Sequence, residues 1–277
     1  MLHAWGAGHY FPETVITNAF LTDLDIGVDD AWVLDRVGIK ERRSVLPLDY
    51  IRDTRNSDPR AAREAATISC AEMGAAAARL ALDRAGVDAT DIGLIVAGVN
   101  AGDGMIPARA FLIARELGVE PAAFDLTAGC ATFHSILALL DQFSAKGSAR
   151  FVLVVLTEAM TRHVDYHDRT TAVLFGDGAS ALVVSTTEQG KAQVLACRAF
   201  SSPEGAGLIT LPHAGHFAQE GRKVQRFAIR ESCREIQRLR EEVSDLSSTH
   251  HFIGHQANRM MLSTICEREE ITADRHH

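Results

Sequence analysis

The sequence predicts an α/β fold of two similar halves, each built on a parallel sheet, and three observations carry that prediction. Strand-length apolar runs alternate with helical stretches, as βαβ units require. The order of elements begins again after residue 190. A helix from Cys130 to about Phe143 carries Phe133, Ile136, Leu137, Leu139 and Leu140 around most of its circumference, a pattern suited to burial between layers.

Taken in order, Leu2 to Phe11 reads as a strand ended by Pro12, with Thr17 and Asn18 starting a first helical turn. Residues 44–64, rich in Asp, Arg and Pro, read as a surface excursion leading into an Ala-rich helix from Ala65 to Ala85, closed by Gly86. A strand at Ile92–Val99, a helix from Pro107 to Leu117 ended by Gly118, and a strand at Ala122–Leu126 follow, the last entering a Gly129-Cys130 turn. Beyond the Cys130 helix come apolar runs at Phe151–Leu156 and Thr171–Ser185, the second interrupted by Gly176-Asp177-Gly178. The repeat offers a strand at Val194–Phe200, an amphipathic helix from Val224 to Val243, a short strand at His251–Ile253 and a helix from Gln256 to Glu267. The halves are therefore read as 1–190 and 191–277, the second incomplete because it has no counterpart to the first half's last strands.

A chain of 277 residues, 47% hydrophobic and 23% charged, has apolar material for a sizeable core. Its formal net charge of −8 argues against a nucleic-acid partner, which needs a clustered basic face. It has no uncharged apolar stretch of about 18 residues. The N-terminus lacks the basic region and long apolar segment of a secretory signal. The expected location is the cytoplasm, away from the membrane. Five cysteines, at 70, 130, 197, 233 and 266, form no CxxC pair, which suits a reducing compartment. His250, His251, His255, His276 and His277 invite a metal reading, but neither Cys₂His₂ nor HExxH spacing accompanies them, and no metal is expected.

Cys130 follows a strand and opens a helix, so its sulfur lies near the positive end of the helix dipole, a position that favours a thiolate nucleophile. The alternative is a small buried hydrophobe, the reading that suits Cys70, Cys197, Cys233 and Cys266 inside strands and helices. His255 occupies a matching strand-to-helix junction in the second half. Strand ends are where open α/β sheets place their sites. A cysteine and a histidine so placed point to covalent acyl chemistry.

Five blocks in order then carry a resemblance: Trp32 to Arg43, Asp125 to Phe133, Phe175 to Ala181, Leu208 to Pro212, and His255 to Asn258. The chain resembles the ketosynthase III family, the 3-oxoacyl-carrier-protein synthase III branch of the thiolase superfamily. The resemblance implies a thiolase fold of two βαβαβαββ halves in an αβαβα arrangement, a homodimer and ping-pong acyl transfer. It implies that Cys130 takes an acyl group from acyl-CoA or an acyl carrier protein, and that a malonyl-type extender loses CO₂ beside His255. No permanently bound cofactor is implied; the substrates are coenzyme A and phosphopantetheine thioesters. An asparagine about 30 residues after His255 would serve decarboxylation beside it, and that position falls past residue 277. Asn258 is carried over only as a supporting position.

Trp32, Arg36 and Arg162 match positions that hold the adenine end of coenzyme A, where an indole and guanidinium groups sandwich a base. Met105 matches a residue that reaches across the dimer interface and limits acyl length. Arg259 and Arg268 are the expected carrier-protein face. Gly176-Asp177-Gly178 lacks the spacing of a phosphate loop and reads as a strand bend. Thr132 stands where many relatives have glycine and His134 where an apolar residue is common, which suggests an atypical pocket. Acyl transfer to an alcohol or amine, condensation without decarboxylation, and a non-catalytic partner subunit stay open as alternatives.

Overall fold

The computed structural model describes residues 1–142, 149–243 and 251–277. Phe143, the expected end of the Cys130 helix, and His250 lie outside them. In chain order the elements are β1 (Leu2–Tyr10), β2 (Thr14–Thr17), α1 (Asn18–Asp23), α2 (Asp30–Arg36), β3 (Glu41–Ser44), α3 (Leu48–Thr54), α4 (Pro59–Ala65) and α5 (Cys70–Ala85). There follow β4 (Ile92–Gly98), α6 (Arg109–Leu117), β5 (Ala122–Leu126), α7 (Thr132–Asp141), β6 (Phe151–Ala159), α8 (Arg169–Ala172) and β7 (Asp177–Ser185). The last are β8 (Ala192–Val194), β9 (Ile209–Thr210), β10 (Ala218–Gln219), α9 (Gly221–Glu242) and α10 (Arg259–Arg268).

Two compact units emerge, neither continuous in sequence. The first comprises Met1–Val15, Arg42–His163 and Gly176–Ala199; the second comprises Ile16–Glu41, Val164–Phe175 and Phe200–His277.

The first unit is built on a six-stranded sheet in the order β5-β4-β6-β7-β1-β8. Only β5, β4 and β6 run parallel; β7 is antiparallel to both β6 and β1, and β8 is antiparallel to β1. The sheet is thus mixed where a parallel one was expected. The parallel part coincides with the βαβ crossovers through α6 and α7, which return the chain to the same end of the sheet. Both faces are covered, which explains the unbroken apolar run of β6. Leu94, Val96, Val152, Val154 and Val184 form a core with Ile136, Leu137 and Leu140 of α7. On the other face, the space at Gly74 of α5 is closed by Ile113 of α6 and Val155 of β6. Among its described residues α7 buries one side only: Phe133 and Leu139 are half-buried and His134 is exposed, short of the all-round burial its composition suggests.

Gly6 and Gly8 of β1 lie directly beneath α5. A Cβ on Gly6 would stand 2.5 Å from the Ala81 carbonyl oxygen, and one on Gly8 would run into the carbonyl of Ala77. The alanines of α5 complete a seam in which backbone meets backbone. A capping box fixes the start of that helix: Ser69 accepts from Glu72 N–H, and the Glu72 carboxylate accepts from Ser69 N–H. This is why α5 begins at Cys70 and not at Ala65. The alanine-rich stretch before it belongs to α4, started by Asp58 with Pro59 in its first turn.

Two other boundaries moved as well. The run from Thr171 begins with the short helix α8, capped by Asp168, and becomes strand only at Asp177. The strand expected to Phe200 stops at Val194. Leu2 pairs with Val194 antiparallel, so the following residues run past the start of β1 and leave its ladder.

In the second unit, α9 packs against α10 through Cys233, Met261 and Ile265, joined by Ala228, Ile229, Ile236 and Phe252. The expected strand at His251–Ile253 is reduced to a single parallel bridge between Phe252 and His276. The last helix starts three residues later than its apolar pattern suggests, because Asn258 accepts from Met261 N–H and caps it. No helix among the described residues is long and apolar enough to cross a membrane.

Candidate active site

Strand β5 hands the chain to a tight turn. Thr127 Oγ1 donates to the Val99 carbonyl (2.6 Å), Gly129 adopts φ +59°, and a 3-10 turn over Gly129–Ala131 runs into α7. The left-handed conformation at 129 favours glycine. Thr132, the departure from the family pattern, is buried in this turn. Its hydroxyl donates to the Gly129 carbonyl (2.7 Å) and accepts from Ala128 N–H (2.9 Å). A Cβ on Gly98 would meet its methyl group at 2.6 Å. Thr132 therefore reinforces the turn.

Cys130 stands exposed on that turn, while Cys70, Cys233 and Cys266 are buried and Cys197 half-buried; all five are free thiols. Burial pushes the Cys70 thiol up to about 12, with the Asp103 carboxylate adding to it. Desolvation by the protein around the Cys130 sulfur also raises that thiol above its ordinary value, and the negative Glu158 adds to the shift. Both effects oppose the thiolate preference expected from the helix end.

Glu158, at the end of β6, was not singled out by sequence. Its Oε1 accepts from Asn100 N–H (2.8 Å) and Asn100 Nδ2 (2.5 Å), and its Oε2 from Ala101 N–H (2.8 Å). Asn100 Nδ2 also lies 3.3 Å from the Gly129 carbonyl oxygen. Downstream, Asp103 pairs with Arg109 (2.5 Å) and Arg162 (2.7 Å), and accepts from Cys70 N–H. The loop is held at its base, while Met105 (73% exposed) and Ile106 (89%) project from its tip.

Arg162 corrects one assignment. It is only 2% exposed, and its guanidinium is committed to Asp103 and the Ala101 carbonyl. In the second unit the cations over the Trp32 ring are Arg36, 4.9 Å from the centroid, and Arg169, at 5.5 Å. Arg169 also donates to the Gly27 carbonyl (3.1 Å). It follows Asp168 just before the Phe175–Ala181 block, a signal within reach of sequence comparison. A half-buried indole with two guanidinium groups close to its ring offers aromatic and cationic surfaces on which a planar base can stack.

His255 and Asn258 also belong to the second unit. His255 is exposed on the segment that enters α10, and its carbonyl accepts from Ala257 N–H (2.9 Å). Asn258, besides capping α10, donates to the Arg36 carbonyl (3.3 Å), tying the His255 segment to the helix that bears Trp32. Arg259 and Arg268 are both exposed, but nine residues are about two and a half helical turns, so they leave α10 on opposite sides and form no single patch. Among the described residues no group of three or more His, Cys, Asp or Glu is placed to hold a metal ion.

Asp177, the first residue of β7 where a strand bend was expected, is 4% exposed and accepts from Val45 N–H (2.7 Å), Thr161 N–H (2.8 Å) and Thr161 Oγ1 (2.5 Å). Burial pushes its carboxyl up from 3.8 to about 6 in spite of those donors. The folded chain therefore holds this proton more tightly than the unfolded one, and stability falls as pH rises from about 4 to about 6. Asp177→Asn is expected to make that slope shallower in urea titrations, the raised Glu158 carboxyl still contributing to it. It should also cost about 2–3 kcal/mol at neutral pH, since its amide N–H₂ faces donors. An unchanged slope would assign the titration to another group.

Comparison with known proteins identifies the family. Residues 124–203, which include the Cys130 turn, match the family described as 3-Oxoacyl-[acyl-carrier-protein (ACP)] synthase III. The beta-ketoacyl-[acyl-carrier-protein] synthase III of Pectobacterium atrosepticum is 30% identical over 98% of this chain and 84% of its own length. That of Oceanobacillus iheyensis is 33% identical over 98% of this chain and 80% of its length. The crystal structure of the synthase III from Aquifex aeolicus superposes with a TM-score of 0.85 at 30% identity, covering 100% of this chain and 83% of that one. The priming β-ketosynthase of the R1128 polyketide pathway gives 0.78 at 28% identity, covering 100% and 80%. The fold is the thiolase fold, and the chain belongs to the 3-oxoacyl-[acyl-carrier-protein] synthase III family of the thiolase superfamily.

Proposed function

We propose that this chain is an acyltransferase that loads an acyl group from acyl-CoA onto Cys130 and condenses it with a malonyl-carrier extender to a 3-oxoacyl product. The observation that carries the reading is the exposure of Cys130 at the strand-to-helix turn while the other four thiols are buried or half-buried. In the first step the sulfur attacks the thioester carbonyl, coenzyme A leaves as its thiol, and the acyl group stays on Cys130. In the second, the extender's carboxylate leaves as CO₂, and the enolate so formed attacks the acyl carbonyl, returning the sulfur of Cys130. We assign His255 to the enolate-forming step, as a donor to the developing oxyanion. The halves 1–190 and 191–277 then carry nucleophile and histidine respectively.

Trp32, Arg36 and Arg169 are proposed to bind the adenine end of coenzyme A. Arg169→Ala is expected to raise KM for acyl-CoA about tenfold with kcat little changed, and to leave acyl-pantetheine turnover as it was. Equal losses with both donors would remove Arg169 from the adenine site.

A homodimer is part of the same proposal. Strand β5 forms one edge of the six-stranded sheet, and the apolar Met105, Ile106 and Phe111 are exposed in the same unit. Free thiols suit the cytoplasm. The test of the whole reading is incubation with acetyl-CoA or octanoyl-CoA and malonyl-carrier protein, with mass detection of the 3-oxoacyl carrier. An acyl-Cys130 adduct without condensation would favour transfer to another acceptor, and neither adduct nor product would favour a non-catalytic subunit.

A further inference from the structure

We infer that Glu158 is a positioning residue for Cys130, acting through Asn100, whose side-chain amide joins the Glu158 carboxylate to the carbonyl of Gly129. The inference rests on the proposal that Cys130 carries the acyl group. Both carboxylate oxygens of Glu158 are engaged: one accepts the backbone and side-chain N–H groups of Asn100, the other the backbone N–H of Ala101. Asn100 Nδ2 is the link, 2.5 Å from the carboxylate and 3.3 Å from the carbonyl oxygen of the residue immediately before the nucleophile. That carbonyl also accepts from Thr132 Oγ1 at 2.7 Å, so the turn is held from the helix side and from the β4 loop at once.

A simple loop brace would need only the backbone amides. The Asn100 side chain extends the brace to the nucleophile turn, and the charge of Glu158 reaches the sulfur as well. It opposes the Cys130 thiolate, adding to the desolvation around the thiol. Burial raises the Glu158 carboxyl itself, against its amide donors and with Asp177 as a further negative neighbour. Loss of the Glu158 charge should therefore make Cys130 easier to ionise while leaving its turn less well held. A merely structural residue would not separate those two effects.

The test uses the full chain and two variants, Glu158→Gln and Asn100→Ala. One arm measures alkylation of Cys130 by iodoacetamide from about pH 6 to about pH 10, and the other acyl loading from acetyl-CoA by intact mass. In Glu158→Gln an N–H₂ replaces one acceptor among three donors, and the negative charge is gone. Its alkylation profile is expected to move to lower pH, and its acyl loading, compared at equal thiolate fraction, to fall about tenfold or more. Asn100→Ala keeps the charge and is expected to slow loading while leaving the alkylation profile in place. The inference is overturned if Glu158→Gln has the wild-type alkylation profile, or if Asn100→Ala loads at the wild-type rate with unchanged melting temperature. If the wild-type chain itself takes no acyl group, the functional proposal fails, and the alkylation arm still decides whether Glu158 acts on Cys130.

Discussion

Cys130→Ala is expected to take up no acyl group from any acyl-CoA, and to lose 3-oxoacyl product formation by about three orders of magnitude or more. None of the other thiols can substitute. Cys70 is buried and its thiol is pushed up to about 12, half-buried Cys197 is raised by desolvation and donates to the His134 carbonyl, and Cys233 and Cys266 lie buried on the second unit's helices. The variant should fold as the parent does. Cys130 is exposed, and its turn is held by Gly129, Thr127 and Thr132, all of which remain. Intact mass after incubation with acetyl-CoA and octanoyl-CoA, read beside a urea unfolding curve, checks both parts. A persistent adduct would move the nucleophile elsewhere.

His255→Ala should separate the two chemical steps. Its acyl-Cys130 adduct is expected to form at close to the parental rate, while CO₂ release from malonyl-carrier protein falls by about 10²–10⁴-fold, the range for removal of a positioned proton donor. Folding is spared because the side chain is exposed and α10 keeps its Asn258 cap. Labelled CO₂ trapped from carboxyl-labelled malonyl-carrier measures the effect directly. Parental CO₂ release would remove His255 from the decarboxylation step, and loss of the adduct as well would place it in acyl loading.

The legible parts of the molecule are those whose signals are local. Strand β1 ended before Pro12, α1 began after Thr17, and Gly86 and Gly118 closed their helices in left-handed conformation, all as the residues suggest. Where a long-range partner decides, the letters mislead. Val194–Phe200 has the composition of a strand, yet only its first residue finds a place beside β1. The Cys130 turn was readable because glycine, cysteine and a following apolar helix sit together in sequence. Glu158 was not, because its partners are 57 and 58 residues away and nothing at position 158 distinguishes it from a solvated carboxylate. Arg162 and Arg169 show the limit of matching by residue type. Seven positions apart in one segment, one is buried against Asp103 and the other stacks on Trp32.

Anyone redirecting this chain toward a different acyl group would find the backbone-to-backbone seam between β1 and α5 closed to variation. Alanine is the usual safe substitute in protein engineering, but at Gly6 and Gly8 even one methyl group displaces a helix that lies across three strands. A library randomised there would return mostly unfolded chains. The exposed residues Gly104, Met105 and Ile106 sit beyond the Asp103 anchor, and diversity placed on them leaves the sheet and its helices untouched. In this molecule a single methyl group is too much for the core seam, while whole side chains can change at the tip of the loop.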